Sequence, residues 1–271
     1  MNKTDPGRIG AIRPLWLEAD ALRERVAAAP SIYSFFSFET ALSQRGNNGH
    51  VRTHPAARAS VARLVTSPRS RAAVVSGRRA TLIQRRLRLQ RAAYVGVYGA
   101  EVQATGLRLV SEPDLELLAS QVAKLRKACQ KSPLFAAEGL VLEDRSWALA
   151  LHLRSVAPAA ASAAALEFAR LASVNDLLLR SSQGLLEACS QNGGLGKAAV
   201  GLLAGQPGSL PLYVGGGEAD EEAFEVINKR GGITVHVGPP PRQGTAARVM
   251  VADTGEVIRL IHWLADARRR T

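Results

Sequence analysis

The stretch "SIYSFFSFETALSQ", residues 31–44, places Ile32, Tyr33, Phe35 and Phe36 in one uncharged run that ends at Glu39. An apolar run of that length, entered from Pro30 and left through polar residues, reads as a strand buried on both faces that runs into a turn. Such strands belong to sheets sandwiched between helices. The neighbouring sequence agrees, because short apolar runs alternate with amphipathic helical stretches, which argues for a mainly parallel sheet covered by helices. A helix is expected over 15–28 ("LWLEADALRERVAA") and another over 54–67 ("HPAARASVARLVTS"). Strands are expected at "RAAVVSGRR" (71–79) and at "AAYVGVYGAEVQ" (92–103), each ending in a tight turn.

From about residue 108 the texture changes. A helix ("EPDLELLASQVAKLRKACQ", 112–130), a strand pair (139–156), a helix (158–173) and a second strand pair (175–191) make an α+β module. In "SWALALHLR" the period is two, so Trp147, Leu149, Leu151 and Leu153 share one face while Ala148, Ala150, His152 and Arg154 share the other. The first texture returns afterwards with a helix at 196–205, a strand at 210–217, a helix at 220–230, a strand at 232–238 and a last helix from Thr254 to Arg268. Asp253 and Thr254 supply its cap and Glu256 an acid in its first turn. The expected organisation is a core of residues 1–107 and 195–271 interrupted by a cap of residues 108–194. A cleft lies between two such units, and in open parallel sheets the site is at the carboxyl ends of the strands.

The totals set limits. A chain of 271 residues with 46% hydrophobic content can bury a proper core. Its two cysteines, Cys129 and Cys189, lie far apart without a CxxC or His-rich partner, which supports neither a disulfide framework nor a zinc site. No stretch approaches ~20 consecutive apolar residues and no apolar leader stands at the N-terminus, so the expected location is the cytoplasm, away from the membrane. The net charge of +12 is densest in "GRRATLIQRRLRLQRAA", with Arg78, Arg79, Arg85, Arg86, Arg88 and Arg91 around an apolar stripe that includes Leu82 and Leu89. That run reads as a solvated helix face. Nucleic acid is the competing partner, disfavoured by 5% aromatic content and no interleaved aromatics for base stacking.

Four strand ends, in order, resemble the trehalose-6-phosphate phosphatase family of the haloacid dehalogenase superfamily. "AVVSGRR" is similar to that family's second motif, with Ser76 as the phosphate-holding hydroxyl and Arg78 beside it. "YVGVYGAEVQ" resembles its Gly-His-Gly-Ala-Glu turn, with Tyr98 for the histidine and Gly99, Ala100 and Glu101 kept. "VLEDRSWALALHLR" resembles the sugar-reading strand pair of the cap, and "LYVGGGEADEEAFEVI" the fourth motif. The resemblance implies a Rossmann-like haloacid dehalogenase core, its parallel sheet interrupted by an inserted α+β cap. The implied substrate-binding residues are Arg78, Gly99, Glu101, Glu143, Arg145, His152, Arg154 and Glu187, although Ser190 replaces a usual proline.

The catalytic positions depart from the pattern. The family's first motif, Asp-x-Asp-Gly-Thr, is here "SFETA", which puts Ser37 at the nucleophile position and Glu39 at the acid/base position. A serine hydroxyl at neutral pH needs a base or metal to attack, whereas a carboxylate arrives ionised. Glu39 can still move a proton, but a misplacement of roughly 1 Å can cost ~100-fold. The aspartates that hold Mg²⁺ in the family correspond to Gly216 and Gly217; Asp220, Glu221 and Glu218 remain nearby, either for a rearranged cation site or as acids favouring a helix dipole. At the phosphate lysine stands Leu195, with Lys197 two residues on as a further substrate-binding candidate, able to reach a phosphate if the loop is re-routed.

These losses imply a protein that binds a disaccharide phosphate such as trehalose 6-phosphate, or a partner such as the cognate synthase, and regulates rather than turns over. The alternative is an active phosphatase for that ester or a pseudo-disaccharide phosphate, with Glu39, Ser76, Asp220 and Glu218 carrying a modified mechanism and Mg²⁺ as its cofactor.

Overall fold

The computed structural model describes residues 12–45, 51–104, 107–110, 112–182, 184–191, 193–241 and 244–268. The chain passes through β1 (Arg13–Pro14), α1 (Ala19–Ala28), β2 (Ser31–Ser37), α2 (Phe38–Ala41), β3 (Ser43–Arg45), β4 (Val51–Thr53), α3 (Pro55–Leu64), β5 (Ser70–Val75), α4 (Ala80–Leu87), β6 (Ala92–Gly96), β7 (Glu101–Ala104) and β8 (Leu107–Val110). It continues with α5 (Glu112–Lys131), β9 (Val141–Asp144), β10 (Leu149–His152), α6 (Pro158–Val174), β11 (Leu177–Ser182) and β12 (Leu185–Ser190). Last come α7 (Leu195–Ala204), β13 (Ser209–Gly215), α8 (Glu218–Lys229), β14 (Ile233–Val237), β15 (Val249–Val251) and α9 (Thr254–Ala267).

Among the described residues the core is a nine-stranded sheet of order β1-β15-β14-β13-β2-β5-β6-β7-β8. Its centre is parallel, and β7 and β8 add antiparallel strands at one edge. The sheet therefore reaches Val110, past residue 107. As the uncharged run of β2 requires, both of its faces are covered. Ile32 and Phe36 join the cluster under α1, α3, α4 and α9, while Tyr33 and Phe35 join the one under α7 and α8. Burying each such side chain contributes roughly 1.5–3 kcal/mol.

The cap is a four-stranded sheet of order β11-β12-β10-β9. Leu115, Leu118, Val122, Leu125 and Cys129 recur at helical spacing along α5 and pack with Phe168 and Leu171 of α6 on Leu149 and Leu151 of β10. Cys129 and Cys189 are both buried and free. No helix among the described residues is long and apolar enough to cross a membrane.

Two local expectations change. The arginine-rich helix stops at Leu87, where Arg88 takes the left-handed conformation (φ 51°), so its buried stripe is Ala80, Ile83 and Leu87. Leu82 is exposed, and Leu89 is buried beyond the helix, its amide bonded to the Tyr94 hydroxyl at 2.8 Å. Arg85, Arg86, Arg88 and Arg91 face solvent, while Arg78 turns inward. The last helix keeps its expected cap, with the Asp253 carboxylate accepting the Glu256 amide at 3.0 Å.

Candidate functional site

Strand β2 lies between β13 and β5, so the connections leave its carboxyl end in both directions and open a crevice there. Ser37 ends β2 opposite Val75 of β5, which brings Ser37 and Ser76 to the same rim. A cleft of about 190 Å³ lies between this rim and the cap sheet. Ser37, Glu39, Ser76, Arg78 and Asp220 line its core side; Arg145, His152, Arg154, Arg180 and Glu187 line its cap side.

Strand register builds the cap side. Glu143 of β9 and Glu187 of β12 both sit opposite Ala150 of β10, and Arg180 of β11 sits opposite Glu187. Directly opposed residues share a face, so two carboxylates and a guanidinium align across the sheet, with the small Ala150 between them and His152 two residues along β10. Arg145, from the β9–β10 turn, enters this row and donates to Glu187 Oε1 at 2.7 Å and to Glu143 Oε2 at 2.6 Å. His152 Nε2 also meets Glu143 Oε2, at 3.0 Å. Burial alone would raise the Glu143 carboxyl; the Arg145 bond and charge, helped by His152 and Arg78, hold it down at about 2. Burial likewise opposes the Arg145 cation, but Glu187 and Glu143 outweigh it and keep it charged above its ordinary range.

The core side reaches across to the cap. Arg78 Nη1 lies 3.5 Å from Glu143 Oε1, the Tyr98 hydroxyl donates to Glu187, and Glu218 Oε2 accepts the Ser181 amide at 3.0 Å. Arg180 lies 4.9 Å over the Tyr98 ring, a cation–π contact. Tyr98 sits in a backbone stretch of positive φ (Val97 50°, Tyr98 53°, Gly99 101°), uncommon for non-glycine residues and costly at a β-branched valine. Burial, reinforced by Glu187, keeps its phenol protonated well above 10.

Glu39 accepts the Ser76 hydroxyl at 2.5 Å and stands 3.6 Å from Arg78 Nε. Burial pushes its carboxyl up, against Ser76, Arg78 and Arg145, although 27% of the side-chain surface still faces the cleft. Asp220 is more enclosed. Its Oδ2 accepts the Gly216 and Gly217 amides at 2.9 and 2.8 Å, its Oδ1 accepts the Tyr213 hydroxyl at 2.7 Å, and the Ser37 hydroxyl is also bonded to it. Burial raises this carboxyl as well, against those four donors.

These contacts correct several expectations. Glu101 is fully buried and accepts the Ala80 amide at 2.7 Å, where α4 needs an acceptor for its first N–H, so it holds the fold rather than a ligand. Gly99 does not line the cleft; it is glycine because its φ is positive and a Cβ there would lie 2.3 Å from the Gly194 carbonyl. Lys197 points to solvent from α7, while buried Leu195 lines the cleft. Asp220 is the N-terminal acceptor of α8, holding the Gly216 and Gly217 amides as well as the Tyr213 and Ser37 hydroxyls.

Nor do the residues suit Mg²⁺. Gly216 and Gly217 present amide donors, Asp220 is engaged by those donors, and no cluster of three or more His, Cys, Asp or Glu side chains among the described residues could hold a metal. Sequence reasoning missed Arg180. A lone arginine in the apolar "LLLRSS" was the available signal.

A family model described as trehalose-phosphatase matches residues 35–254. The C-terminal domain of C. albicans trehalose-6-phosphate phosphatase superposes with a TM-score of 0.79 at 15% identity, covering 96% of this chain and 99% of that chain. A trehalose-6-phosphate phosphatase related protein gives 0.72 at 17%, covering 88% and 99%. The C-terminal domain of the Candida albicans trehalose synthase regulatory protein gives 0.69 at 13%, covering 94% and 100%. What these structures share with the chain is the fold.

Proposed function

The chain belongs to the trehalose-phosphatase family, with its haloacid dehalogenase fold, and from that premise we propose that it binds a disaccharide phosphate of the trehalose 6-phosphate type without hydrolysing it efficiently. The observation that carries this reading is the state of the catalytic positions. Ser37 sets a neutral hydroxyl, bonded to Asp220, where the family has an ionised carboxylate ready to attack. Gly216 and Gly217 give a cation no side chain, and Leu195 gives a phosphate no charge. In a catalytic unit, losing the key group alone costs on the order of 10⁶ in rate. Phosphoryl transfer depends almost wholly on positioning and charge neutralisation.

The cap, by contrast, keeps groups suited to a sugar phosphate. Glu187 can accept hydroxyls in the cleft, with Glu143 behind it on the same sheet face, and Arg78, Arg145, Arg154 and Arg180 are the guanidinium groups around them, with the His152 imidazole beside Glu143. At about 190 Å³ the closed cleft is below the ~300–1,000 Å³ of most small-molecule sites, so a disaccharide enters once Arg78–Glu143 and Tyr98–Glu187 part. A regulatory role beside a synthase is the reading that the likeness to a trehalose synthase regulatory protein supports.

The test is phosphate release from trehalose 6-phosphate with and without Mg²⁺, beside a thermal-shift titration of the same ester. A ligand-induced shift without release is expected. Metal-dependent turnover would overturn the proposal and return the chemistry to Glu39 and Ser76.

A further inference from the structure

Both places on the core side where an anion could sit are filled by the chain's own carboxylates. Asp220 takes two amides and two hydroxyls. Glu39 takes the Ser76 hydroxyl beside the Arg78 guanidinium, and Ser76 Oγ is itself held by the Arg78 amide at 3.0 Å. A hydroxyl and a guanidinium converging on one oxygen are what an external oxyanion would use. The two carboxylates differ in how firmly they are held. Asp220 is 2% exposed and has four donors. Glu39 opens onto the cleft and has one hydroxyl, its own backbone amide and one ion pair at 3.6 Å, and the Arg78 Nε beside it is buried without a hydrogen-bond partner.

We propose that Glu39 is the specificity determinant of this cleft: it occupies the seat of a phosphoryl group, so that a neutral disaccharide binds beside it whereas the phosphate ester binds only with uptake of a proton. The identity of the sugar ester rests on the function proposed above; the occupied seat does not. Once protonated, the Glu39 carboxyl becomes a donor to a phosphoryl oxygen, and Ser76 and Arg78 are released to the ligand. The groups that face Glu39 are Arg78 from the turn after β5, Arg145 from the cap, Tyr98 after β6, Tyr213 of β13 and Asp220 of α8. Both tyrosines are held neutral by burial and Arg145 stays charged, which leaves Glu39, Asp220 and the His152 imidazole of β10 as the titratable groups of the cleft. Comparison with Glu39→Gln singles out Glu39, because that variant keeps Asp220 and His152.

The probe is inorganic sulfate, whose charge does not change between about pH 5.5 and pH 8, titrated into the wild type and Glu39→Gln at both ends of that range. At pH 8 the variant is expected to bind sulfate at least about tenfold more tightly, since one like charge has gone from the seat. The difference between the two proteins is expected to close as the pH falls, because only the wild type carries the Glu39 carboxyl. Equal sulfate affinity in the two proteins at both pH values would overturn the proposal. Should the variant fold poorly in a thermal melt, the wild-type titration decides alone, and an affinity independent of pH would refute it. Trehalose and trehalose 6-phosphate are run in parallel. If Glu39→Gln gains sulfate while neither protein binds the ester, the occupied seat stands and the disaccharide-phosphate reading falls.

Discussion

Replacing Arg145 with methionine would remove the cation that two cap carboxylates share. Arg145 keeps 12% of its side-chain surface exposed and its partner Glu187 only 4%. Leaving one member of a buried pair without the other typically costs ~3–5 kcal/mol, because the remaining charge has lost its compensation. Glu187 would keep the Tyr98 hydroxyl, and Glu143 would keep His152 and Arg78, so the lower end, about 3 kcal/mol at neutral pH, is the expected loss. The acid limb gives a second reading. Glu143 is held at about 2, below its ordinary 4.5. A depressed carboxyl stabilises the fold above 4.5, and that contribution disappears as the pH falls from 4.5 toward 2. At 1.36 kcal/mol per unit the shift corresponds to ~3 kcal/mol. About a third of the Glu143 side chain meets solvent, which screens this to ~1–2 kcal/mol. The assay is urea unfolding of the wild type, Arg145→Met, Glu187→Gln and the double variant at neutral pH and across the acid range. The double variant should be less destabilised than the sum of the singles. A neutral-pH loss under about 1 kcal/mol, together with an unchanged acid limb, would refute the reasoning.

Restoring aspartates in the fourth motif should fail asymmetrically. A Cβ at Gly216 would lie 2.3 Å from the Val237 carbonyl oxygen, so Gly216→Asp should cost at least ~2 kcal/mol in urea unfolding, whereas Gly217→Asp, whose nearest contact is Asp220 Oδ2 at 3.5 Å, should cost ~1 kcal/mol or less. Asp220→Ala leaves the Gly216 and Gly217 amides without their acceptor and should lower stability by ~1–3 kcal/mol; Asp220→Asn should recover part of this in the same measurement. Glu101→Ala should cost ~1–3 kcal/mol through the Ala80 amide while leaving the thermal shift produced by trehalose 6-phosphate unchanged, and a lost ligand shift in a folded variant would return Glu101 to the binding site.

Legibility followed distance along the chain. The double-sided burial of β2 was readable because alternation along one strand decides which residues face which layer, and the α9 cap was readable because Asp253 reaches an amide three residues away. Strand β15, three residues long, was too short to show a period. The arginine-rich helix was read too long because nothing in its spacing announces the left-handed turn at Arg88. Glu101 was misread because its partner, Ala80, becomes a neighbour only after β6 and β7 pair beside α4.

By itself the sequence determined the α/β layering, which follows from residue type and short-range periodicity, and its resemblance to the family implied that Ser37, Gly216, Gly217 and Leu195 stand where the family keeps its nucleophile, metal ligands and phosphate lysine. Only the tertiary structure decided what replaced them: Asp220 capping its own helix, Glu39 seated on Ser76 and Arg78, and Glu143, Ala150, Glu187 and Arg180 aligned by register across the cap. Hydrogen bonds and ion pairs act over a few ångströms, and the chain brings these groups that close only when distant strands and helix ends are packed together.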